Sequence, residues 1–427
     1  MTKVFRPISI TNIKALFTNS IFLDCFSLFY LFSIFTFILI APMKILFISQ
    51  LFPYKKDELH TTGALREFIE EWAGLGNVVK VIRIHYGHEK EKFPRVPSFN
   101  IGENISVDFI QPVRIPVLKL SFYSLKNIVK VLDFEPDVMV CHHYNAYFTF
   151  YKLANKLNIP LVAGIHMSDV RLAQKQIYRW YFRKIYNRVS GFACRSQSYQ
   201  EQFVKLFPEQ SCKTFLAMSG IPDKYMNQNT LKPEDNTGVL HFITVSSLIP
   251  RKQIDKILRA LSELPQNITW HFSIIGEGPE KSKLQQLTER PGLQDKVVFL
   301  GNLDRDEVFR HLKKADIFVL PSYDETFGLV YLEAMAAGCL TIGSINEGID
   351  GTIVNNQNGF LCDPFNEQSI KETLINAARL DIKEKERIIN NALNTVSNYS
   401  NSKMAEYYLN QLKQIVNDYN KTEKRLG

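Results

Sequence analysis

The sequence predicts an α/β protein with two doubly wound parallel sheets in tandem. Short apolar runs alternate with amphipathic segments of helix length, first over residues 43–223 and again over residues 239–401. Strands buried on both faces of a parallel sheet have this continuous apolar composition, and the helices between them form the crossovers. Residues 224–238, KYMNQNTLKPEDNTG, are polar and rich in turn formers, so we predict that they link the two domains.

The first series of elements begins with the strand KILFIS, directly after Met43. Residues 96–112 lack a helical period and predict a hairpin or an irregular strand. Further apolar strands are predicted over residues 78–84, 136–143, 159–166, 191–196 and 214–221. Helices are predicted between them over residues 61–76, 124–134, 146–157, 170–188 and 199–207.

The predicted helix over residues 170–188 contains the basic and aromatic run IYRWYFRKIYNRV. Such a helix either packs its aromatic rings on the sheet and leaves Arg and Lys in solvent, or contacts anionic lipid or nucleic acid. We favour the first interpretation, and we expect no nucleic-acid partner.

The second series repeats the alternation and ends in helices. Its apolar segments are residues 240–247, 268–276, 296–301, 315–322, 340–344 and 351–362. Its predicted helices cover residues 253–263, 279–289, 304–313, the segment after ETFG, 367–379, 383–398 and 402–420. Residues 402–427 are expected to form a separate C-terminal helix and tail. Ligands of such sheets bind beyond the carboxyl ends of the strands, so the predicted site is the central cleft between the domains.

Composition and motifs argue against several classes of function. Hydrophobic residues make up 45% of the chain and charged residues 22%, which is typical of a globular protein. The six cysteines form no CxxC and no zinc-type spacing, which indicates buried free thiols and no metal site. Neither GxGxxG nor GxxxxGK[ST] follows a strand, which disfavours nicotinamide oxidoreductases and P-loop NTPases. The net charge of +8 favours anionic partners.

The first 42 residues form an apolar N-terminal extension. Residues 25–41, CFSLFYLFSIFTFILIA, are apolar enough for a short membrane span. The first strand follows almost at once, and so few residues would pin the sheet against the lipid headgroups. We favour the interpretation that Met43 is the true start and that residues 1–42 are a mis-called extension, with a membrane anchor as the alternative.

The segment ETFGLVYLEAMAAG, residues 325–338, places two carboxylates around the start of an apolar helix. Glu333 lies about two turns into that helix, and a buried carboxylate needs hydrogen-bond donors, either sugar hydroxyls or an arginine elsewhere in the chain. Glu325 precedes the helix, whose first backbone amides have no intrahelical partner and favour an anion such as a diphosphate. The alternative is a capped surface helix with two solvated glutamates.

The pair Glu325-TFGLVYL-Glu333 resembles the signature of retaining nucleotide-sugar glycosyltransferases of the GT-B fold, in particular the family 4-like enzymes of bacterial surface polysaccharides. The resemblance extends over essentially all of residues 43–420. It is carried by further segments in the same order, which are IIGEGPEKSKLQQL (274–287), VVFLGNL (297–303), KKADIFVLPSYDETFG (313–328) and NNQNGFLC (355–362).

The resemblance implies roles for the residues that match the family's motifs. Glu325 is expected to hold hydroxyls of the donor sugar, and Glu333 the nucleotide ribose. Lys252, in VSSLIPRKQID, matches the phosphate-binding lysine, whereas Ser247 stands where most members have an arginine. Arg251 is the neighbouring substitute, and the diphosphate and sugar would contact Thr326, Phe327, Gly328 and Leu329.

The first domain is expected to supply the remaining site residues. His166, in IHMSD, matches a histidine that contacts the donor sugar near the reacting carbon, and Asp169 would support the site. Met167 replaces the family's usual glycine. Gly63 matches a glycine that lets backbone approach phosphate or acceptor. His142 and His143 end another strand and either face the acceptor or have no role.

The resemblance implies sugar transfer from a nucleoside diphosphate sugar to a hydroxyl, with retention of the anomeric configuration. No cofactor or metal is expected, because Lys252 and the loop amides would neutralise the leaving group. The expected acceptor is a saccharide or lipid-linked saccharide, and the expected location is cytoplasmic, with peripheral association at the inner membrane. The alternative function is a non-catalytic GT-B subunit that binds a nucleotide sugar or a partner enzyme.

Overall fold

The computed structural model describes residues 42–53, 63–84, 97–110, 112–115, 120–123, 128–129, 132–226, 238–290 and 292–426. Met43–Gly427 forms one compact unit. Residues 1–41 of the expected apolar extension and residues 227–237 of the expected linker lie outside the described residues. Among the residues that are described, no helix has the length and apolarity that a bilayer crossing requires.

The first sheet of the unit Met43–Gly427 has eight strands. In sequence order they are β1 (Lys44–Ser49), β2 (Val78–Ile84), β3 (Phe99–Ile101), β4 (Ile105–Ile110), β7 (Val138–His142), β8 (Leu161–Ile165), β9 (Gly191–Cys194) and β10 (Thr214–Leu216). Their spatial order is β10-β9-β8-β7-β1-β2-β4-β3, and every pairing is parallel except that of β3 with β4. The strand order reverses between β1 and β7, which makes this a doubly wound sheet. A separate antiparallel pair consists of β5 (Val113–Ile115) and β6 (Leu120–Phe122).

Helices connect these strands on both faces of the sheet. They are α1 (Gly63–Gly74), α2 (Tyr144–Leu157), α3 (Met167–Gln174), α4 (Gln176–Tyr186) and α5 (Gln197–Leu206). The predicted hairpin over 96–112 is confirmed by β3 and β4. Of the helix predicted over 124–134, only residues 128–129 are both described and helical.

The second sheet has six strands, all paired in parallel. They are β11 (Val239–Val245), β12 (Thr269–Ile275), β13 (Val297–Gly301), β14 (Ile317–Val319), β15 (Leu340–Ser344) and β16 (Phe360–Cys362). Their spatial order, β13-β12-β11-β14-β15-β16, reverses between β11 and β14. The helices are α6 (Ile254–Ser262), α7 (Lys281–Thr288), α8 (Arg305–Leu312), α9 (Leu329–Ala336), α10 (Glu367–Ala378), α11 (Ile382–Val396) and α12 (Asn401–Leu426). The predicted pair of Rossmann-like domains is confirmed.

One predicted helix is wrong in its continuity and in its packing. Residues 170–188 form two helices, α3 and α4, because Lys175 between them has an extended backbone with φ −77° and ψ 125°. Only part of the aromatic set packs inward: Phe182 and Tyr186 are buried, whereas Trp180 is 60% exposed. The favoured interpretation, in which the rings cover the sheet, therefore holds for only one side of α4.

The C-terminal helix α12 returns to the first sheet. Trp72 of α1 donates a hydrogen bond of 2.9 Å from Nε1 to the carbonyl of Ala405. Tyr408 packs edge-on against Trp72, with ring centroids 5.0 Å apart. The chain passes between the two sheets near Ile221 and again near Asn401, and these two segments lie side by side. The amide of Ile221 donates to the Tyr399 carbonyl at 2.9 Å, and the amide of Asn401 donates to the Ile221 carbonyl at 2.9 Å.

Candidate functional site

Two basic side chains and one carboxylate meet where the second sheet reverses its strand order. Arg251 and Lys252 lie on a short helical turn, Pro250–Lys252, after β11, and Glu325 lies in the loop after the adjacent strand β14. Glu325 Oε2 accepts hydrogen bonds from Lys252 Nζ and, at 3.3 Å, from Arg251 Nη1. The carbonyl of Arg251 also accepts from the amide of Tyr323 at 3.0 Å, which couples the turn to the loop. The sequence predicts one site for these three side chains, and the structure brings them together.

Lys252 is a largely buried cation. Lys252 is only 8% exposed. Burial lowers the pKa of its ammonium group, and the carboxylate of Glu325 opposes that shift. Its position depends on two glycines of the GEGP segment. A Cβ at Gly276 would lie 1.9 Å from the Ser246 carbonyl oxygen, and one at Gly278 would lie 2.4 Å from that of Leu248. These glycines therefore allow the end of β12 to lie against the backbone that leads to Lys252.

The loop before α9 presents unbonded backbone amides. Gly328 has φ +80° and precedes the first residue of α9, so the helix begins at Leu329. Within the described part of the chain, nothing accepts a hydrogen bond from the amides of Phe327, Gly328 or Leu329. A helix N-terminus with free amides favours an anion. These three amides are therefore available to an anionic group.

Glu347 is a central residue of the site that the sequence analysis missed. It is 5% exposed, and its Oε2 accepts hydrogen bonds from the backbone amide of Glu325 at 2.9 Å and from the hydroxyl of Tyr199 at 2.8 Å. Its Oε1 accepts from Arg171 at 3.4 Å, and Arg171 also pairs with Asp324. Tyr199 and Arg171 belong to the first sheet's helices, so Glu347 joins both halves of the molecule to the Glu325 loop. Its only sequence signal was its place just after a predicted strand.

Glu333 has an arginine partner in this structure. It is 7% exposed, and its Oε1 accepts a 2.6 Å hydrogen bond from Arg305 Nε. Arg305 Nη1 donates a second bond, of 2.5 Å, to Glu67 of α1. Burial raises the pKa of Glu333, and Arg305 opposes that shift. The sequence allowed for an arginine here but did not indicate which one, because Arg305 lies 28 positions before Glu333 and on another helix.

Two atoms in the group formed by Arg305, Glu333 and Glu67 have no hydrogen-bond partner among the described residues. Arg305 Nη2 and Glu67 Oε2 are buried, and neither has a partner among the described residues. Buried polar atoms without partners are uncommon and need an explanation. Both atoms belong to side chains bonded in one group with Glu333, and hydroxyl groups of a ligand could bond to them.

His166 lies at the carboxyl end of β8, in a buried polar chain. Its Nε2 lies 3.1 Å from Nδ1 of His142, whose Nε2 lies 3.3 Å from the Tyr408 hydroxyl on α12. Burial holds the pKa of both imidazoles well below the usual value, so both are neutral at pH 7. Asp169 is fully buried and accepts bonds from the backbone amide of His166 at 2.8 Å and from the Tyr147 hydroxyl at 2.5 Å. Asp169 therefore holds the backbone of His166 in place at the start of α3.

Three positions singled out in the sequence have simpler environments. Gly63 is the first residue of α1, and the loop that precedes it lies outside the described residues. Ser247 is exposed and Met167 is half-buried.

Arg171, four residues after Met167, reaches the Glu325 loop through Asp324 and Glu347. The His166 helix and the Glu325 loop are therefore linked through Arg171.

Family models match both halves of the chain. Residues 64–221 match the model described as Glycosyltransferase Family 4, and residues 227–395 match Glycosyl transferases group 1. The chain thus carries a family 4-like and a group 1 glycosyltransferase domain. This glycosyltransferase is 25% identical over 360 residues to an uncharacterised glycosyltransferase of Methanocaldococcus jannaschii, an alignment that covers 76% of this chain and 90% of the relative.

Solved structures share the fold of this glycosyltransferase. The Anabaena protein HepE, in complex with UDP and glucose, superposes with a TM-score of 0.64 at 19% identity, covering 87% of this chain and 100% of that one. A lipopolysaccharide outer core galactosyltransferase, WaaB, in its apo form superposes with a TM-score of 0.67 at 16% identity, covering 87% and 99%. The predicted GT-B fold is therefore confirmed.

Proposed function

We propose that this glycosyltransferase moves a sugar from a nucleoside diphosphate sugar to a hydroxyl group, with retention of the anomeric configuration. The observation that carries the proposal is the group of Lys252, Arg251 and Glu325 beside the free amides of residues 327–329. Cations and backbone donors of this kind neutralise a departing diphosphate, and a carboxylate among them can hold sugar hydroxyls. The complex of HepE with UDP and glucose supports a nucleotide-sugar donor.

Each part of the donor has a matching part of the site. The diphosphate would contact the amides and side chains of residues 326–329 together with Lys252 and Arg251. The sugar would contact Glu325 and His166. The ribose would contact Glu333, beside the unpaired polar atoms of Arg305 and Glu67.

The protein's contribution to the reaction is positioning and charge stabilisation. Glu325 is already bonded to two cations, so it is suited to orient sugar hydroxyls rather than to attack the anomeric carbon. The acceptor hydroxyl would attack from the face that the diphosphate leaves, and the departing phosphate oxygen would take its proton. Lys252 would stabilise the negative charge that develops on that oxygen, a contribution typically worth about 100- to 1000-fold in rate. We propose that no metal or cofactor takes part.

The proposed acceptor is a saccharide or lipid-linked saccharide of bacterial capsule, exopolysaccharide or lipopolysaccharide synthesis, used on the cytoplasmic face of the inner membrane. Its support is the resemblance of the sequence to such enzymes and the structural likeness to a lipopolysaccharide galactosyltransferase. We propose that Gly63, at the start of α1, and the end of β7 face this acceptor.

Thermal unfolding of the full chain with UDP-, GDP-, ADP- and CMP-sugars tests the donor site. A ligand at 100 times its dissociation constant, bound only to the folded state, stabilises by about 2.7 kcal/mol. We expect one base to give this shift, and Lys252→Ala to weaken it while Lys283→Ala, at an exposed lysine, leaves it unchanged. With that donor and an acceptor, NMR of the product should show the donor's anomeric configuration. A well-folded chain that responds to no donor would instead support a non-catalytic subunit.

A further inference from the structure

We propose that α4 carries a docking face for an anionic membrane surface. The docking face consists of Ile177, Trp180, Tyr181, Lys184 and Arg188. These residues occur at positions i, i+3, i+4, i+7 and i+11, so they form one stripe along the helix and its C-terminal extension.

The apolar side chains of the docking face are exposed to solvent. Ile177 is 75% exposed, Trp180 60% and Tyr181 46%. The opposite side of α4 is the one that packs, with Phe182 and Tyr186 fully buried. An amphipathic helix needs a single apolar stripe to cover a core, so the second stripe, on the solvent side, requires another partner.

The charge around the docking face is mainly positive. Residues 170–200 contain seven Arg or Lys and no Asp or Glu. Arg183 is paired with Glu209 at 2.9 Å, but no described carboxylate forms an ion pair with Lys175, Lys184 or Arg188. The ammonium group of Lys184 lies 3.6 Å from the centre of the Trp180 ring, so the cation and the aromatic ring share one patch.

This combination matches a lipid surface better than other partners. Trp and Tyr are favoured at the depth of lipid headgroups, an aliphatic side chain is favoured slightly deeper, and Lys and Arg pair with anionic headgroups. A nucleic acid offers no apolar layer for Ile177, the most exposed of these apolar side chains. A second copy of this chain would bring two clusters of the same positive sign together.

A chain of edge-on and tilted ring contacts connects the docking face to the cleft. Tyr181 contacts Phe148 with centroids 5.2 Å apart, Phe148 contacts Tyr144 at 6.0 Å, and Tyr144 contacts His143 at 4.2 Å. The ring of His143 is in turn 6.3 Å from that of His166. A membrane bound at the docking face would therefore lie beside the acceptor side of the cleft. Only this last step rests on the proposed function, because lipid binding is measured without sugar transfer.

Trp180 is a built-in reporter for the proposal. The chain has three tryptophans, and the other two, Trp72 and Trp270, are 0% and 4% exposed. We expect vesicles of phosphatidylglycerol and phosphatidylcholine to shift the emission of the full chain to the blue and to protect it from acrylamide. Vesicles of phosphatidylcholine alone should give a much smaller change, and Trp180→Phe should abolish the signal. Because the signal reports on this helix, attachment through another segment does not produce it.

Matched variants test the face itself. Ile177→Glu should remove the blue shift, whereas Ile382→Glu, at an isoleucine 51% exposed on α11, should not. Lys184→Ala should weaken vesicle partitioning roughly fivefold at low salt, the usual effect of one basic residue near an anionic surface. Transfer to a water-soluble acceptor should be the same in Ile177→Glu as in the unsubstituted chain, so failure of docking and failure of the proposed function give different results.

Three outcomes would overturn the proposal. Trp180 could stay accessible to acrylamide while the chain floats with the anionic vesicles, which would place the contact elsewhere. Protection could require RNA and not lipid. It could also increase with protein concentration in the absence of vesicles, which would make the face an interface between copies of this chain.

Discussion

At Lys252, burial and charge act in opposite directions. Taking the ammonium group out of water lowers its pKa, and the neighbouring Glu325 carboxylate compensates. A lysine held in this way keeps a fixed position and needs no reorganisation when an anionic group binds beside it. The burial of Lys252 and its pairing with Glu325 therefore set how strongly this side chain can stabilise a bound anion.

We expect Lys252→Ala to lower kcat/KM by roughly 100- to 1000-fold, because it removes one charge from the developing oxyanion. Initial-rate measurements of nucleoside diphosphate release, with donor and acceptor varied, give the value. The matched control is Lys283→Ala, since Lys283 is exposed and pairs only with Glu280 among the described residues. A Lys252→Ala rate within threefold of the unsubstituted rate would refute the role.

Arg305→Ala should destabilise the fold by about 3–5 kcal/mol, because it leaves the buried Glu333 carboxylate without its cation. Burial already raises the pKa of Glu333, and loss of Arg305 removes the opposing effect. Protonation of Glu333 would then relieve the defect as the pH falls. Urea unfolding should therefore show a smaller loss at pH 5 than at pH 8. The variant Arg305→Met with Glu333→Leu and Glu67→Leu, which removes all three charges of the group, should recover most of the stability.

At the scale of elements, the site is formed by the loops that follow neighbouring strands. The backbones of these loops are in close contact. The turn after β11 and the loop after β14 meet because these two strands are neighbours at the reversal of strand order. The loop after β15 supports the second of them: a Cβ at Gly348 would lie 2.1 Å from the carbonyl oxygen of Thr326. The amide of Gly348 also bonds to the Glu325 carbonyl at 2.9 Å.

Gly348→Ala should therefore displace the loop that contains Thr326. We expect a loss of about 1–3 kcal/mol in stability, typical of overpacking, and weaker donor binding. Gly74→Ala is the control, because a Cβ there meets no atom within 4 Å. Chemical denaturation and donor titration of both variants measure the two effects. Equal behaviour of the two alanine variants would show that the close approach at Gly348 is unimportant.

At the scale of the whole molecule, the two sheets are joined at a crossing and again across the cleft. The chain crosses at Ile221 and Asn401, whose backbones are hydrogen-bonded. Across the cleft, Tyr199 bonds to Glu347 and Glu67 to Arg305. These polar contacts can exchange for contacts with a ligand, whereas the paired crossing is suited to act as a hinge. The buried histidine chain ends on α12, so the last helix of the sequence also supports the site in the first domain.

The stability of the whole fold should depend on pH through that histidine chain. The pKa values of His142 and His166 lie well below the ordinary value of about 6.5, so the unfolded chain binds more protons than the folded one once the pH falls below that value. Stability should be full above about pH 6.5 and fall below it by up to about 1.4 kcal/mol per pH unit for each histidine. Urea unfolding from pH 7.5 to 5 measures the slope. The slope should be shallower in His142→Gln. An equal slope in this variant would show that the pH dependence does not come from the histidine chain.

The sequence by itself determined the fold and much of the candidate site. Apolar runs and helical periods are local properties, so they predicted both sheets and the order of their strands and helices along the chain. Lys252, Glu325 and the amides of residues 327–329 each follow a predicted strand, where sites in such sheets occur.

Only the tertiary structure decided the partners of those residues. Glu347 meets Tyr199 across 148 positions of sequence, and His142 meets Tyr408 across 266. The docking face of α4 was also identified only from the structure, because the sequence does not say which of the two apolar sides of this helix packs on the sheet. The physical reason is that pattern and propensity act over a few residues, whereas burial and charge pairing depend on which distant segments the folded chain brings together.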